Sequence, residues 1–235
     1  MPSGGESIIN RWTNVGVNHS RILAHNHDNR GRSRRTASFA LCLMLGTAAL
    51  GACAGETPPP DEQAASEDSH AAFWTNISAL CGNAYSGRMT VGGPGDTDLA
   101  NSELRMHVRE CSEDTLRIPF HVGDDRSRTW ILTKTDGGLR LKHDHRHEDG
   151  SEDSITQYGG DTRDSGTAQR QEFHADSLTA SLIPAARTNV WTVELISDSL
   201  FAYALRREGT DRRVRVEFDL RQQVDTPPPP WGAPP

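Results

Sequence analysis

The chain has 235 residues, of which 34% are hydrophobic and 24% are charged, and its formal net charge is -7. This length suits one domain with appended segments, or at most two small domains. The acidic balance argues against nucleic acid as a partner, because the overall field of the protein would repel it. No internal repeat of solenoid length is visible in the sequence.

The first recognisable element of the chain is an export signal. Two adjacent arginines (34–35) precede an apolar run, residues 39–50, that is too short to span a bilayer as a mature helix. The tetrapeptide LGAC, residues 50–53, closes the run. This combination resembles the lipobox of bacterial lipoproteins, in which the Cys is lipidated and becomes the new N-terminus. We therefore expect a leader and signal peptide over residues 1–52 and a lipid on Cys53; an ordinary export signal with an incidental Cys is the alternative.

The lipobox resemblance also implies a location. A lipid on Cys53 would attach the protein to a membrane of the bacterial cell envelope. Ala54 follows the Cys, and the lack of Asp there resembles the default pattern for sorting to the outer membrane. We therefore expect a lipid-anchored protein at the periplasmic face of the outer membrane. Residues 53–69 are rich in Pro, Ala and acidic residues without an apolar period, which predicts a disordered tether.

Two cysteines remain beyond the lipobox, Cys81 and Cys111. Exported proteins meet an oxidising compartment, so an even pair favours a disulfide. The bridge would close a loop of about thirty residues and stabilise the fold by roughly 3 to 4 kcal/mol. Two buried free thiols or one catalytic thiol are the alternatives, although no motif around either Cys indicates a nucleophile.

Residues 70–223 are predicted to form a single β-rich domain, followed by a Pro-rich tail over residues 224–235. A short helix is expected over residues 70–81, because its apolar residues fall on one stripe. A second short helix, residues 176–186, begins at a potential capping residue, Asp176. Apolar residues with a period of two predict the strands, which lie at residues 86–91, 103–111, 114–122, 127–135, 138–147, 189–197, 200–207 and 212–220.

About eight strands joined mostly by short turns indicate a mainly β fold with an antiparallel up-and-down meander. Closure into a barrel hides the edges of such a sheet, so we predict a calycin/lipocalin-like barrel with two short helices; a β-sandwich is the alternative. The acidic segment 148–170 has the length of a lid or binding loop. Within it, YGGDT (residues 158–162) lacks the Lys and the strand-turn-helix setting of a phosphate loop, and we interpret it as a turn.

Four segments resemble an uncharacterised group of exported bacterial proteins. They are IPFHVGDDRSRTW (118–130), LKHDHRHEDGSED (141–153), QYGGDT (157–162) and TNVWTVE (188–194). The resemblance covers about residues 73–232. It implies a stand-alone domain and no particular activity.

Three histidines occupy alternate positions of one predicted strand: His143, His145 and His147. Side chains alternate between the two faces of a strand, so the histidines share the core face with the two leucines that precede them. They should therefore lie at one mouth of the barrel. Two imidazoles at this spacing can hold zinc, with Glu148 or another nearby group as a further ligand. The simpler alternatives are a solvated strand end, or histidines that are hydrogen-bonded to acids within the barrel end.

The sequence thus favours a non-enzymatic, lipid-anchored barrel that binds a small molecule or an envelope protein. Met106, Phe120 and Trp130 are the candidate lining residues. A metal-dependent enzyme that uses the histidine strand, with Glu148 as general base, is the second hypothesis. A structural or assembly lipoprotein is the third.

Overall fold

The computed structural model describes residues 60–234, which form a closed antiparallel β-barrel with few helices. The predicted leader, the lipobox with Cys53 and the first part of the predicted tether lie outside the described residues. The helices within residues 60–234 are α1 (Pro60–Ser78), α2 (Thr97–Asn101) and α3 (Ser177–Leu182), with short 3-10 helices at Pro184–Ala186 and Ser197–Ser199. No helix in this part of the chain has both the length and the apolar character needed to cross a membrane.

The sheet comprises eleven strands within the described residues. They are β1 (Ala84–Val91), β2 (Leu104–His107), β3 (Glu110–Cys111), β4 (Thr115–Val122), β5 (Asp125–Thr135), β6 (Gly138–His145), β7 (Tyr158–Asp161), β8 (Arg170–Ala175), β9 (Asn189–Ile196), β10 (Leu200–Arg207) and β11 (Arg213–Val224). Strands β4 to β11 follow one another around the wall, then β1 and β2, and β2 pairs with β4 to close it. β3 is a short addition beside β4. The predicted lipocalin-like barrel is confirmed, and the sandwich alternative is wrong.

The alternation of apolar and polar residues gives each strand one buried face. In β11, Val214, Val216 and Phe218 are buried. The residues between them form an ion pair on the outside, with Arg215 Nε 2.7 Å from Glu217 Oε1. Burial of one such apolar side chain contributes roughly 1.5–3 kcal/mol, so the period of two is what selects the inward face.

Strands β7 and β8 were missed by the sequence analysis. β7 contains most of YGGDT, so the interpretation of residues 158–162 as a turn is wrong. Gly160 pairs with Leu141 of β6 on one side and with Ala175 of β8 on the other. A Cβ atom on Gly160 would overlap the backbone carbonyl of His174. Glycine is therefore required here because the two strands approach each other too closely for any side chain.

Helix α1 closes one end of the barrel, near the turn between β5 and β6. Phe73 and Ile77 are fully buried in the core, and Lys134 Nζ of β5 lies 5.1 Å from the ring centroid of Trp74. The helix begins at Pro60, ten residues before the predicted start. Proline is favourable in the first turn of a helix, and the Ala, Glu and Gln residues that follow are good helix formers.

Cys81 and Cys111 form the predicted disulfide, with their Cα atoms 6.4 Å apart. The bridge joins the segment after α1 to β3. Beside it, the Gly82 N–H donates to the Val108 carbonyl at 2.8 Å, and the Val108 N–H donates to the Asn83 carbonyl at 3.0 Å. The covalent link and these hydrogen bonds hold α1 against the barrel end.

The Pro-rich tail packs on the outside of the barrel. The Trp231 N–H donates to the Arg126 carbonyl at 3.1 Å, and the Arg126 guanidinium donates to the Pro229 carbonyl at 3.0 Å. Further along, the guanidinium of Arg109 donates to the Pro234 carbonyl at 2.5 Å. The tail thus lies along the wall near β5 and leaves the barrel interior free.

Candidate functional site

A cavity of about 90 Å³ opens at the barrel end opposite helix α1. At about 30 Å³ of liquid volume for each molecule, this is room for roughly three water molecules. The cavity lies at the end of the barrel where β6 finishes and β9 begins. Its lining is mainly apolar and aromatic: Leu99, Phe120, Trp130, Tyr158, Ile183, Ala186, Trp191, Tyr203, Leu205, Val214 and Val216. Its polar lining residues are Arg128, His143, His145, Asn189, Arg207 and Arg212.

Stacked aromatic rings form one wall of the cavity. The ring centroids of Trp130 and Tyr203 are 4.3 Å apart with an interplanar angle of 18°. Phe120 also stacks on Trp130, with ring centroids 4.7 Å apart. These residues come from β4, β5 and β10, so side chains from opposite parts of the wall meet inside the barrel. The result is a rigid, flat apolar surface.

The second wall contains a histidine with both ring nitrogens engaged. His143 Nδ1 lies 3.1 Å from the Tyr158 carbonyl oxygen, and His143 Nε2 lies 2.6 Å from the Tyr203 hydroxyl. A carbonyl can only accept, so Nδ1 carries the hydrogen. Burial lowers the pKa of His143 to about 4, so the ring is neutral near pH 7. Its Nε2 must then accept the hydrogen bond of the Tyr203 hydroxyl.

The neighbouring histidine keeps one nitrogen without a partner. His145 Nε2 lies 3.0 Å from the Tyr158 hydroxyl. Its Nδ1 is buried and has no hydrogen-bond partner among residues 60–234. Burial, and next the charge of Arg128, hold the pKa of His145 well below its usual value. An unpaired buried polar atom costs free energy, so a group of a ligand that bonds this nitrogen would bind favourably.

The two tyrosines complete a polar patch without charge. Burial raises the pKa of Tyr158 to about 12 and the pKa of Tyr203 well above its usual value. Both phenols are therefore protonated at neutral pH. Together with the unpaired Nδ1 of His145, they offer hydrogen bonds to a ligand inside a mainly apolar cavity.

Three arginines lie on the cavity lining, and two of them face carboxylates. Arg128 Nη1 lies 2.8 Å from Asp125 Oδ2. Arg212 contacts both carboxylate oxygens of Asp96, with Nη2 2.6 Å from Oδ1. Such bidentate pairs fix the geometry of the guanidinium. The third arginine, Arg207, lies at the end of β10.

The structure brings four of the residues selected from the sequence to the cavity. Phe120 and Trp130 line it, as do His143 and His145. Met106 is fully buried in the hydrophobic core and is not part of the lining. His147 and Glu148 are exposed, because β6 ends at His145 and the chain turns away from the barrel.

The described residues do not assemble a metal centre around the histidine strand. In residues 60–234, no group of three or more His, Cys, Asp or Glu side chains is placed to hold a metal ion. Both nitrogens of His143 are already hydrogen-bonded, and His147 points away from the cavity. Zinc binding by His143, His145, His147 and Glu148 therefore stays a prediction.

Several lining residues were not selected from the sequence. Trp191 and Tyr203 lie in predicted strands, at positions where the period of two already favours the inward face. Tyr158 belongs to the missed strand β7. Nothing in the sequence indicated that Arg207 lines the cavity, because a charged residue at a strand end is ordinarily solvated.

Comparison with protein-family models and with curated proteins finds no match to this chain. Any functional assignment therefore depends on the cavity and on the sequence signals outside the barrel.

Proposed function

We propose that the protein is a lipid-anchored binding protein of the bacterial envelope whose barrel takes up one small ligand through its open end. The observation that carries the proposal is the cavity. One end of the barrel is closed by α1, and the other end is lined by stacked aromatic side chains and a few polar groups. This combination is typical of pockets for small molecules.

The lining determines how a ligand would be held. Apolar surface that leaves water contributes roughly 25 cal/mol per Å², so the apolar and aromatic side chains of the lining supply most of the affinity. His143, Tyr203 and Tyr158 are already hydrogen-bonded to one another. They therefore keep their positions before the ligand arrives, which lowers the entropic cost of binding.

A bulky substitution in the lining should weaken ligand binding. Leu205 lines the cavity, so the Leu205→Trp variant should fill part of it and weaken binding of a slim neutral probe, 1-octanol, by at least about tenfold, or ~1.4 kcal/mol. Isothermal titration calorimetry measures the affinity. The matched control is Leu178→Trp, because Leu178 is exposed and lies outside the cavity. Equal octanol affinity in both variants, or no heat of binding in the unmodified protein, would contradict a ligand-binding barrel.

The envelope location rests on the lipobox-like sequence. We expect Cys53→Ser to prevent acylation and to move the protein from the membrane fraction to the soluble fraction, because the acyl chains supply the membrane affinity at roughly 0.8 kcal/mol per buried CH₂. Metabolic labelling with a fatty-acid analogue and cell fractionation measure both effects. Cys42→Ser is the matched control and should stay labelled. A Cys53→Ser protein that is still labelled would refute the assignment.

A further inference from the structure

One arginine of the cavity lining has no ion pair within residues 60–234. Every ionised side chain on it is an arginine, and no Asp or Glu belongs to it. Arg128 and Arg212 face Asp125 and Asp96, respectively, as described above. Arg207 has no ion-pair partner among residues 60–234. The charge of Arg207 is therefore available to an anionic group of a ligand.

A hydrogen bond holds the guanidinium of Arg207 in place, although no carboxylate among residues 60–234 forms an ion pair with it. Its Nε donates to the side-chain oxygen of Asn189 at 2.9 Å, and the two residues also face each other across β9 and β10. Within residues 60–234, the two terminal nitrogens of its guanidinium have no hydrogen-bond acceptor. The guanidinium is half-buried, and both burial and the charge of Arg212 lower the pKa of Arg207. An anion at this point would relieve the unfavourable placement of the cation.

We infer that the ligand is a small carboxylate with a slim apolar body, and that Arg207 binds its charged group at the rim of the cavity. This inference rests on the proposed ligand-binding function and names the ligand class. A guanidinium with two free terminal nitrogens matches the two oxygens of a carboxylate. The aromatic interior behind it requires that the rest of the ligand be apolar.

The strand geometry sets the path of the ligand. Arg207, Leu205 and Tyr203 occupy alternate positions of β10, and all three line the cavity. Alternate residues on a strand are about 7 Å apart, so the guanidinium end and Tyr203 are separated by roughly 14 Å along the strand. A ligand anchored at Arg207 would thus pass Leu205 and reach the stacked rings of Tyr203 and Trp130. The cavity of about 90 Å³ favours a linear or single-ring body over a polycyclic one.

Three linear probes, each with about eight carbons, test the inference: octanoate, 1-octanol and octylammonium. Calorimetry on the unmodified protein should rank octanoate above octanol, and octanol above octylammonium. Arg207→Gln should weaken octanoate binding by about tenfold or more and change octanol binding by less than about twofold. Arg207→Lys should retain part of the preference for octanoate. The matched control is Arg213→Gln, because Arg213 is exposed, lies outside the cavity and bonds only backbone carbonyls.

The outcomes separate this inference from the proposed function. If octanol binds as tightly as octanoate, or if Arg207→Gln weakens both probes equally, the carboxylate assignment is refuted while ligand binding stands. If neither octanoate nor octanol binds, both proposals fall. Thermal unfolding of the Arg207 variants shows whether they are folded, and the octanoate-to-octanol affinity ratio of Arg207→Lys decides the case if Arg207→Gln does not fold.

Discussion

Lowering the pH from 7 to about 4 is expected to destabilise the protein by several kilocalories per mole. His143 is buried and neutral, and burial lowers its pKa to about 4, as it also does for His121. In the unfolded chain these histidines titrate near pH 6.5. The unfolded state therefore binds more protons between pH 6.5 and 4, and stability is lost as the pH falls through this window. His145 acts in the same direction. For His143, a pKa lowered from 6.5 to about 4 corresponds to a loss of about 3 kcal/mol in the free energy of unfolding.

Urea unfolding at pH 7.5, 5.5 and 4.5 measures this loss. The His143→Gln variant can still donate to the Tyr158 carbonyl and accept from Tyr203, but it does not titrate, so its stability should depend less steeply on pH. His147→Gln is the matched control, because His147 is exposed and lies outside the cavity. Carboxylates with lowered pKa values, such as Asp125, also make the protein less stable when they are protonated, but mainly near and below pH 4. Identical pH profiles for the two variants would show that His143 is not the buried neutral group described here.

Gly160→Ala is expected to be among the most damaging single-methyl substitutions in the sheet, with a loss of more than about 3 kcal/mol. The new Cβ atom would overlap the backbone carbonyl of His174, which cannot rotate away as a flexible side chain can. Strands β7 and β8 would have to separate. Because β7 also carries Tyr158, the partner of His145, the cavity wall would move with it.

Denaturant unfolding of Gly160→Ala and Gly137→Ala provides the comparison. Gly137 lies in the turn between β5 and β6, and a Cβ atom there would meet no atom within 4 Å. Its replacement should change the free energy of unfolding by less than about 1 kcal/mol. If the two variants are equally stable, the close approach of β7 and β8 is not a constraint on the fold.

The strands that could be predicted share a visible apolar alternation. Residues 127–135 and 200–207 show it clearly, and they form β5 and β10 with nearly the predicted bounds. The second helix was predicted from its capping residue, and Asp176 Oδ1 does accept the Thr179 N–H at 2.8 Å. β7 was missed because it has four residues, two of them glycine, and no apolar period. β7 is a strand because it pairs with β6 and β8, and such pairing cannot be predicted from the local sequence.

For the site, the strand periodicity predicted the inward face of His143 and His145. It could not predict what they contact, because Tyr203 comes from β10 and depends on how the barrel closes. The same holds for Arg207, whose place on the lining depends on the register between β9 and β10. Contacts between strands that are distant in sequence are a property of the closed barrel and are not encoded in any single strand.

The pairing of the first strand with the last strand also determines when the barrel can close. β1, the first strand, lies between β2 and β11, and Ala84 pairs with Val224 near the end of the last strand. Contacts between residues so far apart in the chain form slowly, because the intervening loop must lose its freedom first. The barrel therefore cannot close until β11 is available. A chain that is still being synthesised therefore holds an open sheet until its last strand arrives.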